Sequence, residues 1–270
     1  MKAKRIHRIA AITKVLVENP FKTINLNFFA DALNCAKSSI SEDITIIRET
    51  FKKFNMGDIE TISGASGGVM YKSLVDLKET CSILQNLAKR LSRPERILPG
   101  GFIFMTDILF SPDLASKIGK IFATRFHTAN PDFVVTVETK GIPLALMTAN
   151  YLNLPLVTIR RNSRVTEGTS VSINYVSGST KKIQTMSLAK RSLPQGARVV
   201  FIDDFLKAGG TIKGMTELMD EFEAKVVGVG VLISTKHPQK KLVEEYTSLL
   251  VLNEIDEFSG IIDIAPVELI

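Results

Sequence analysis

Arg198-Val199-Val200-Phe201-Ile202 is a very apolar run that ends abruptly in Asp203-Asp204. A strand with no polar face must be buried on both sides, which restricts the chain to a parallel sheet covered by helices. The next residues are Phe205-Leu206-Lys207-Ala208-Gly209-Gly210-Thr211, and the spacing after them predicts a helix over Ile212–Phe222. In such a fold the loop leaves the carboxyl edge of the sheet, where α/β proteins bind ligands. Two adjacent carboxylates there can accept hydrogen bonds from vicinal hydroxyls, as on a ribose. The Gly-Gly-Thr turn presents backbone N–H groups at a helix N-terminus, which attract phosphate.

The flanking residues fit an alternating α/β domain. Helix is predicted from Leu114 to about Phe126, strand over Asp132–Val137, helix over Ile142–Leu152 and strand over Pro155–Arg160. A polar, glycine- and serine-rich stretch from Arg161 to Lys182 interrupts this order, carries two strands, one of them at Ser170–Tyr175, and reads as a mobile flap whose Arg161, Arg164, Lys181 and Lys182 can meet an anion. Lys236, His237, Pro238, Lys240 and Lys241 read as a solvated surface segment.

The first seventy residues have a different grammar. Ile6, Ile9, Ala10, Thr13, Leu16 and Val17 recur at helical spacing, and Leu26–Leu33 gives a second, short helix. A third runs to about Phe54, capped by Ser38 or Ser39 with Glu42 completing a capping box, and Glu42 and Asp43 read as first-turn acids that suit the helix dipole. Ile40, Ile44, Ile47 and Phe51 face its core side, leaving Lys37, Ser38, Ser39, Ser41 and Thr45 on the edge that enters the major groove in a helix-turn-helix. Ile59–Ile62 and Val69–Lys72, around a glycine-rich turn, make the hairpin wing.

Residues 1–72 hold 11 Lys and Arg against 7 Asp and Glu, a net +4 of the chain's total +6. Lys2, Lys4, Arg5 and Arg8 precede any acid, as expected of an arm that meets a phosphate backbone. The chain is thus divided into a DNA-binding domain at 1–73 and an effector domain at 74–270. At the junction Leu74, Leu77, Cys81, Leu84, Ala88 and Leu91 form a narrow helical seam, which either covers the second domain or joins two subunits. Two cysteines and three histidines, all scattered, predict neither a disulfide nor a metal site; both cysteines read as buried. No apolar stretch is long enough to span a membrane and no export signal is evident, so a cytoplasmic location is expected.

The Asp-Asp to Gly-Gly-Thr run resembles the phosphoribosyl pyrophosphate (PRPP) signature of type I phosphoribosyltransferases. The resemblance assigns Asp203 and Asp204 to the ribose hydroxyls, the loop from Lys207 through Ala208, Gly209 and Gly210 to Thr211 to the 5-phosphate, and Thr139, Lys140 and Gly141, within Val134–Pro143, to the pyrophosphate. Together with Ala36–Asp43, Pro94–Gly101 and Val165–Gly168, the whole chain resembles the purine operon repressor family. That implies a homodimer that binds double-stranded operator DNA at purine synthesis genes, lacks phosphoribosyltransferase activity, and takes PRPP as effector with Mg2+ alongside. Phe205 and Ala208 depart from the enzymes, which place a small aliphatic residue and Thr or Ser there. Phe205 is either packed in the interior or stacked on the base of a competing purine nucleotide. The alternative reading is a purine phosphoribosyltransferase with an appended DNA-binding domain. Repression or activation, and the sign of the PRPP effect, are left open by the residues.

Overall fold

The computed structural model describes residues 3–64, 67–161, 168–176 and 183–268. Two compact units make up the chain, Met1–Asp76 with Tyr151–Asn153, and Leu77–Asn150 with Leu154–Ile270. Lys2, Arg164, Lys181 and Lys182 lie outside the described residues. No helix among those described is long and apolar enough to cross a membrane.

The first unit is a winged helix-turn-helix: α1 (Arg5–Glu18), α2 (Leu26–Ala32), α3 (Lys37–Lys53) and the antiparallel hairpin of β1 (Asp58–Ile62) and β2 (Gly68–Lys72). Its core is Ile12, Leu16, Ile24, Phe29, Ile40, Ile44, Ile47, Phe51, Ile59, Val69 and Tyr71. Ile24 bridges Val69, so the loop before α2 closes against the wing, and Gly68 is required because a Cβ there would fall 2.2 Å from the Ile24 carbonyl oxygen.

Three expectations need correction here. The buried side of α1 is Ile12 and Leu16, flanked by Ile9 and Val15, whereas Ile6 is 72% exposed and Val17 and Ala10 also face solvent. Helix α3 begins at Lys37 with Ala36 as its N-cap, so Ser38 and Ser39 fall inside the first turn and no capping box forms. Glu42 and Asp43 consequently lie beyond that turn, and Asp43 is fully buried.

The second unit opens with α4 (Leu77–Leu91) and a small hairpin of β3 (Ile97–Leu98) and β4 (Phe102–Ile103), followed by α5 (Thr106–Leu109) and α6 (Pro112–Phe126). Then come β5 (Phe133–Val137), α7 (Ile142–Leu152), β6 (Leu156–Ile159), β7 (Ser170–Val176), β8 (Ile183–Ala189), β9 (Arg198–Leu206), α8 (Gly210–Asp220), β10 (Lys225–Thr235), β11 (Thr247–Asp256) and β12 (Ile261–Pro266). The central sheet has the order β12-β11-β10-β9-β5-β6, with only β12 antiparallel. Val199, Val200, Phe201 and Ile202 are all fully buried, as a central parallel strand requires.

Helix α4 packs on β11 and β12 through Thr80, Leu84, Leu87, Ala88 and Leu91. The expected seam is therefore rotated: Leu77 is 65% exposed and Cys81 is exposed rather than buried. Cys35 of the first unit is half-buried. Of the flap, residues 168–176 are described, and the strand expected at Ser170–Tyr175 is present there as β7. β7 and β8 pair over seven residues, Tyr175, Met186 and Leu188 join the core, and β7 packs on α8. β-branched and aromatic side chains on alternate positions outweigh the polar residues between them.

Candidate functional site

Strand β9 carries Asp203 and Asp204 to the carboxyl edge of the sheet, with Asp203 opposite Val231 of β10. Asp203 is only 5% exposed. From the neighbouring strand β5 the chain turns through Glu138-Thr139-Lys140-Gly141 into α7. Gly141 is where the two loops meet: a Cβ on it would stand 2.6 Å from Thr136 Oγ1 and 2.7 Å from Asp203 Oδ1. Only a hydrogen can occupy that position, so the glycine allows the 139–141 turn to close on Asp203.

The carboxylate pair is electrostatically expensive. Burial, then the charge of Asp204, holds the Asp203 carboxyl well above the usual carboxylate range. Burial raises Asp204 as well, opposed by its side-chain hydrogen bond with Asp203 and by the positive charges of Lys140 and Arg161. The Asp204 backbone N–H donates to Asp203 Oδ1 at 2.9 Å and fixes that side chain.

After Leu206 the chain turns through Lys207 and Ala208 to Gly209, whose left-handed φ of 85° makes it the N-cap of α8. The helix starts at Gly210, two residues before the predicted Ile212, so Gly210 and Thr211 supply first-turn N–H groups with no acceptor inside the helix. Tyr175 of β7 lies over this turn. A Cβ on Gly214 would be 2.9 Å from the Tyr175 ring, and the Tyr175 phenol donates to Gln184 Oε1 at 2.6 Å. Phe205, opposite Ile233, is half-buried, so its ring is not enclosed in the interior.

Some participants carried no signal as single residues. Glu138 Oε1 accepts from the Arg161 N–H at 2.7 Å and Glu138 Oε2 lies 3.4 Å from Arg160 Nη1, which holds Arg161 beside the acids. Lys241, expected on a solvated surface, instead turns its ammonium inward onto the carbonyl oxygens of Lys207 and Thr235, 2.7 Å from each.

In the first unit Lys37, Ser38, Ser41 and Thr45 are exposed along the N-terminal half of α3, and Ser39 is half-buried. Lys4, just before α1, is exposed too. Arg8 differs from its neighbours. Its side chain is 12% exposed and is spent on Asp43, with Nε at 2.7 Å from Oδ2 and Nη2 at 3.2 Å from Oδ1, while Nη1 donates to the Ala3 carbonyl. Arg5 adds an interaction with Asp43 at 3.2 Å and one with Glu42 at 3.6 Å, and stays half exposed. A buried carboxylate demands such compensation, and Arg8 serves it before it can serve any ligand. Arg48, further along α3, donates to the Ile59 carbonyl at 2.8 Å and ties the helix to the wing.

Comparison with known proteins matches residues 4–73 to a family described as bacterial purine repressor, N-terminal, and residues 105–266 to the phosphoribosyl transferase domain. A purine biosynthesis transcriptional repressor of Bacillus subtilis is 51% identical over 95% of this chain and 90% of its own length. A purine biosynthesis transcriptional activator of Lactococcus lactis is 39% identical over 97% of this chain and 96% of its own length. The second unit has the fold of adenine phosphoribosyltransferase from Thermoanaerobacter pseudethanolicus, with a TM-score of 0.54 at 21% identity over 62% of this chain and 98% of that one. With a purine-repressor N-terminal domain joined to a phosphoribosyltransferase domain, the chain belongs to the bacterial purine repressor family.

Proposed function

We propose that this protein is a transcriptional regulator of purine biosynthesis genes that binds double-stranded operator DNA with residues 1–73 and senses PRPP with residues 74–270, as a homodimer. The observation that carries the effector reading is the closure of Gly141 onto Asp203, which joins a pyrophosphate loop to a pair of ribose-binding carboxylates. Asp203 and Asp204 accept from the ribose hydroxyls. The N–H groups of the 207–211 turn hold the 5-phosphate, and Thr139, Lys140 and Gly141 hold the pyrophosphate. A buried and a half-buried carboxylate suit a magnesium–PRPP complex better than PRPP alone, since the cation reduces their repulsion from the pyrophosphate. Half-buried Phe205 leaves ring surface for the base of a competing purine nucleotide.

On the DNA side, Lys37, Ser38, Ser39, Ser41 and Thr45 contact the major groove, and Lys2, Lys4 and Arg5 contact phosphates. Arg8 orients α3 through Asp43. Its relatives at 51% and 39% identity bear the names of a repressor and an activator, and we take repression as the direction here, following the more similar of them. The phosphoribosyltransferase fold then works as a sensor, without a catalytic role. The test is operator binding at fixed salt with and without PRPP, on wild type and on Asp203→Asn/Asp204→Asn. A PRPP response that the double variant loses supports the reading. Absence of PRPP binding by wild type, or release of pyrophosphate from PRPP with a purine base, would overturn it.

A further inference from the structure

The 207–211 turn is held from behind by a segment of the β10–β11 connection. Lys241 Nζ lies 2.7 Å from the Lys207 carbonyl, 2.7 Å from the Thr235 carbonyl, 3.2 Å from the Pro238 carbonyl and 3.4 Å from Thr235 Oγ1. An ammonium has three protons, and these four oxygens share them. The next residue continues the clamp, because the Leu242 N–H donates to the Ala208 carbonyl at 2.9 Å. Gly209 sits flush against the same segment: a Cβ on it would be 3.1 Å from Val243 Cγ2 and 3.3 Å from the Leu242 nitrogen. Partial burial pulls the Lys241 pKa below the ordinary lysine value, as expected of an ammonium that has exchanged part of its water for protein oxygens.

Peptide planarity gives the clamp a consequence on the other side of the turn. In a trans peptide the C=O and the following N–H point in opposite directions. Fixing the Lys207 and Ala208 carbonyls toward Lys241 and Leu242 therefore fixes the Ala208 and Gly209 N–H groups away from them. We propose that Lys241 is a positioning residue for effector binding, its caged ammonium holding the turn so that these N–H groups converge on the 5-phosphate. This rests on the PRPP reading of the site. Lys241 touches no ligand and acts only through the orientation of the turn.

Three probes separate this role from general stabilisation. PRPP and ribose 5-phosphate carry the 5-phosphate; inorganic pyrophosphate does not. Lys241→Met removes the cation while keeping an apolar stem, and a hydrogen bond to a charged group corresponds to roughly a ten- to hundredfold change in affinity. The expected result is a loss of that size for PRPP and ribose 5-phosphate, with pyrophosphate affinity unchanged. Lys241→Ala empties the oxygen cage, so potassium chloride should recover part of its PRPP affinity relative to choline chloride at equal ionic strength. Lys241→Arg, which retains a cation, should bind PRPP better than Lys241→Met and supplies a second folded variant. Unchanged PRPP affinity in both Met and Ala variants overturns the role of Lys241 alone, as does an equal loss for all three probes. Wild type that binds none of the three overturns the PRPP reading, and this proposal with it.

Discussion

Two buried aspartates of this molecule are treated in opposite ways. Asp43, on α3 of the first unit, is 0% exposed and held by Arg8 and Arg5, so its charge is compensated before any ligand arrives. Asp203 is nearly as deep, yet its immediate neighbour is another carboxylate, and the cations around it, Lys140 and Arg161, act on the pair at longer range. The first arrangement secures a fold. The second keeps a site under electrostatic strain that hydroxyl donors or a metal-bound anion can relieve, which is how binding sites differ from structural ion pairs.

The contrast breaks most visibly if the acids of the second unit are neutralised. Asp203→Asn/Asp204→Asn should weaken PRPP binding by about a hundredfold or more, through loss of two charge-assisted acceptors. Operator binding without effector should remain within a few-fold of wild type. Titration calorimetry and a gel-shift assay read the two quantities; a normal PRPP response would remove the carboxylates from the site.

Neutralising the cation of the first unit should do the reverse. Arg8→Met leaves Asp43 buried beside only the half-exposed Arg5, and the unfolding midpoint of the first unit should fall by roughly 10 °C. PRPP affinity should be unaffected. A midpoint equal to wild type in thermal unfolding would mean that Asp43 relaxes to solvent at no cost in stability.

Acidity sharpens the contrast more gently. Because Asp203 and Asp204 have raised pKa values, the folded state keeps protons that the unfolded state has released above about pH 4. Stability contributed by these groups should therefore decline as pH rises from that point through the raised values. Asp107 works with the opposite sign: Arg96 lowers its pKa, so its contribution is lost only as pH falls below the ordinary carboxylate range. Denaturant midpoints across mildly acidic pH should fall with rising pH in wild type and flatten in the double Asn variant. Parallel curves for the two proteins would show that the pair is ionised at no cost.

The smallest effect concerns the arm. Replacing Lys4 and Lys37 with Gln should reduce the salt slope of operator binding by about 0.9 log unit per log salt for each phosphate that is no longer neutralised. Substituting Arg8 in a folded background should change that slope less, since its guanidinium is already occupied. Equal changes at all three positions would return Arg8 to the DNA interface.

Much of this was legible in the sequence, because local patterns have local causes. The buried run Arg198–Ile202, the acids that end it and the Gly-Gly-Thr turn specify strand, ligand edge and helix start within one continuous segment. Ile40, Ile44, Ile47 and Phe51 likewise state their buried face through helical spacing. Periodicity was less decisive where several apolar residues competed. On α4, Leu77 and Cys81 continue the seam in sequence, but β11 and β12 select the face of Thr80, Leu84 and Leu87.

What the sequence alone determined is thus the two-part plan, the phosphoribosyltransferase type of the second sheet and the acid pair at its carboxyl edge. The tertiary structure decided which charges are free. Arg8 lies 35 residues from Asp43, and Lys241 lies 34 from the carbonyl it holds. Neither spacing has a period that a strand or helix would impose, and the carbonyl partner has no side-chain identity to read. A lysine that points to solvent and one that turns onto protein oxygens are the same letter; only the packing that brings the Lys207, Thr235 and Pro238 carbonyls around one ammonium separates the two.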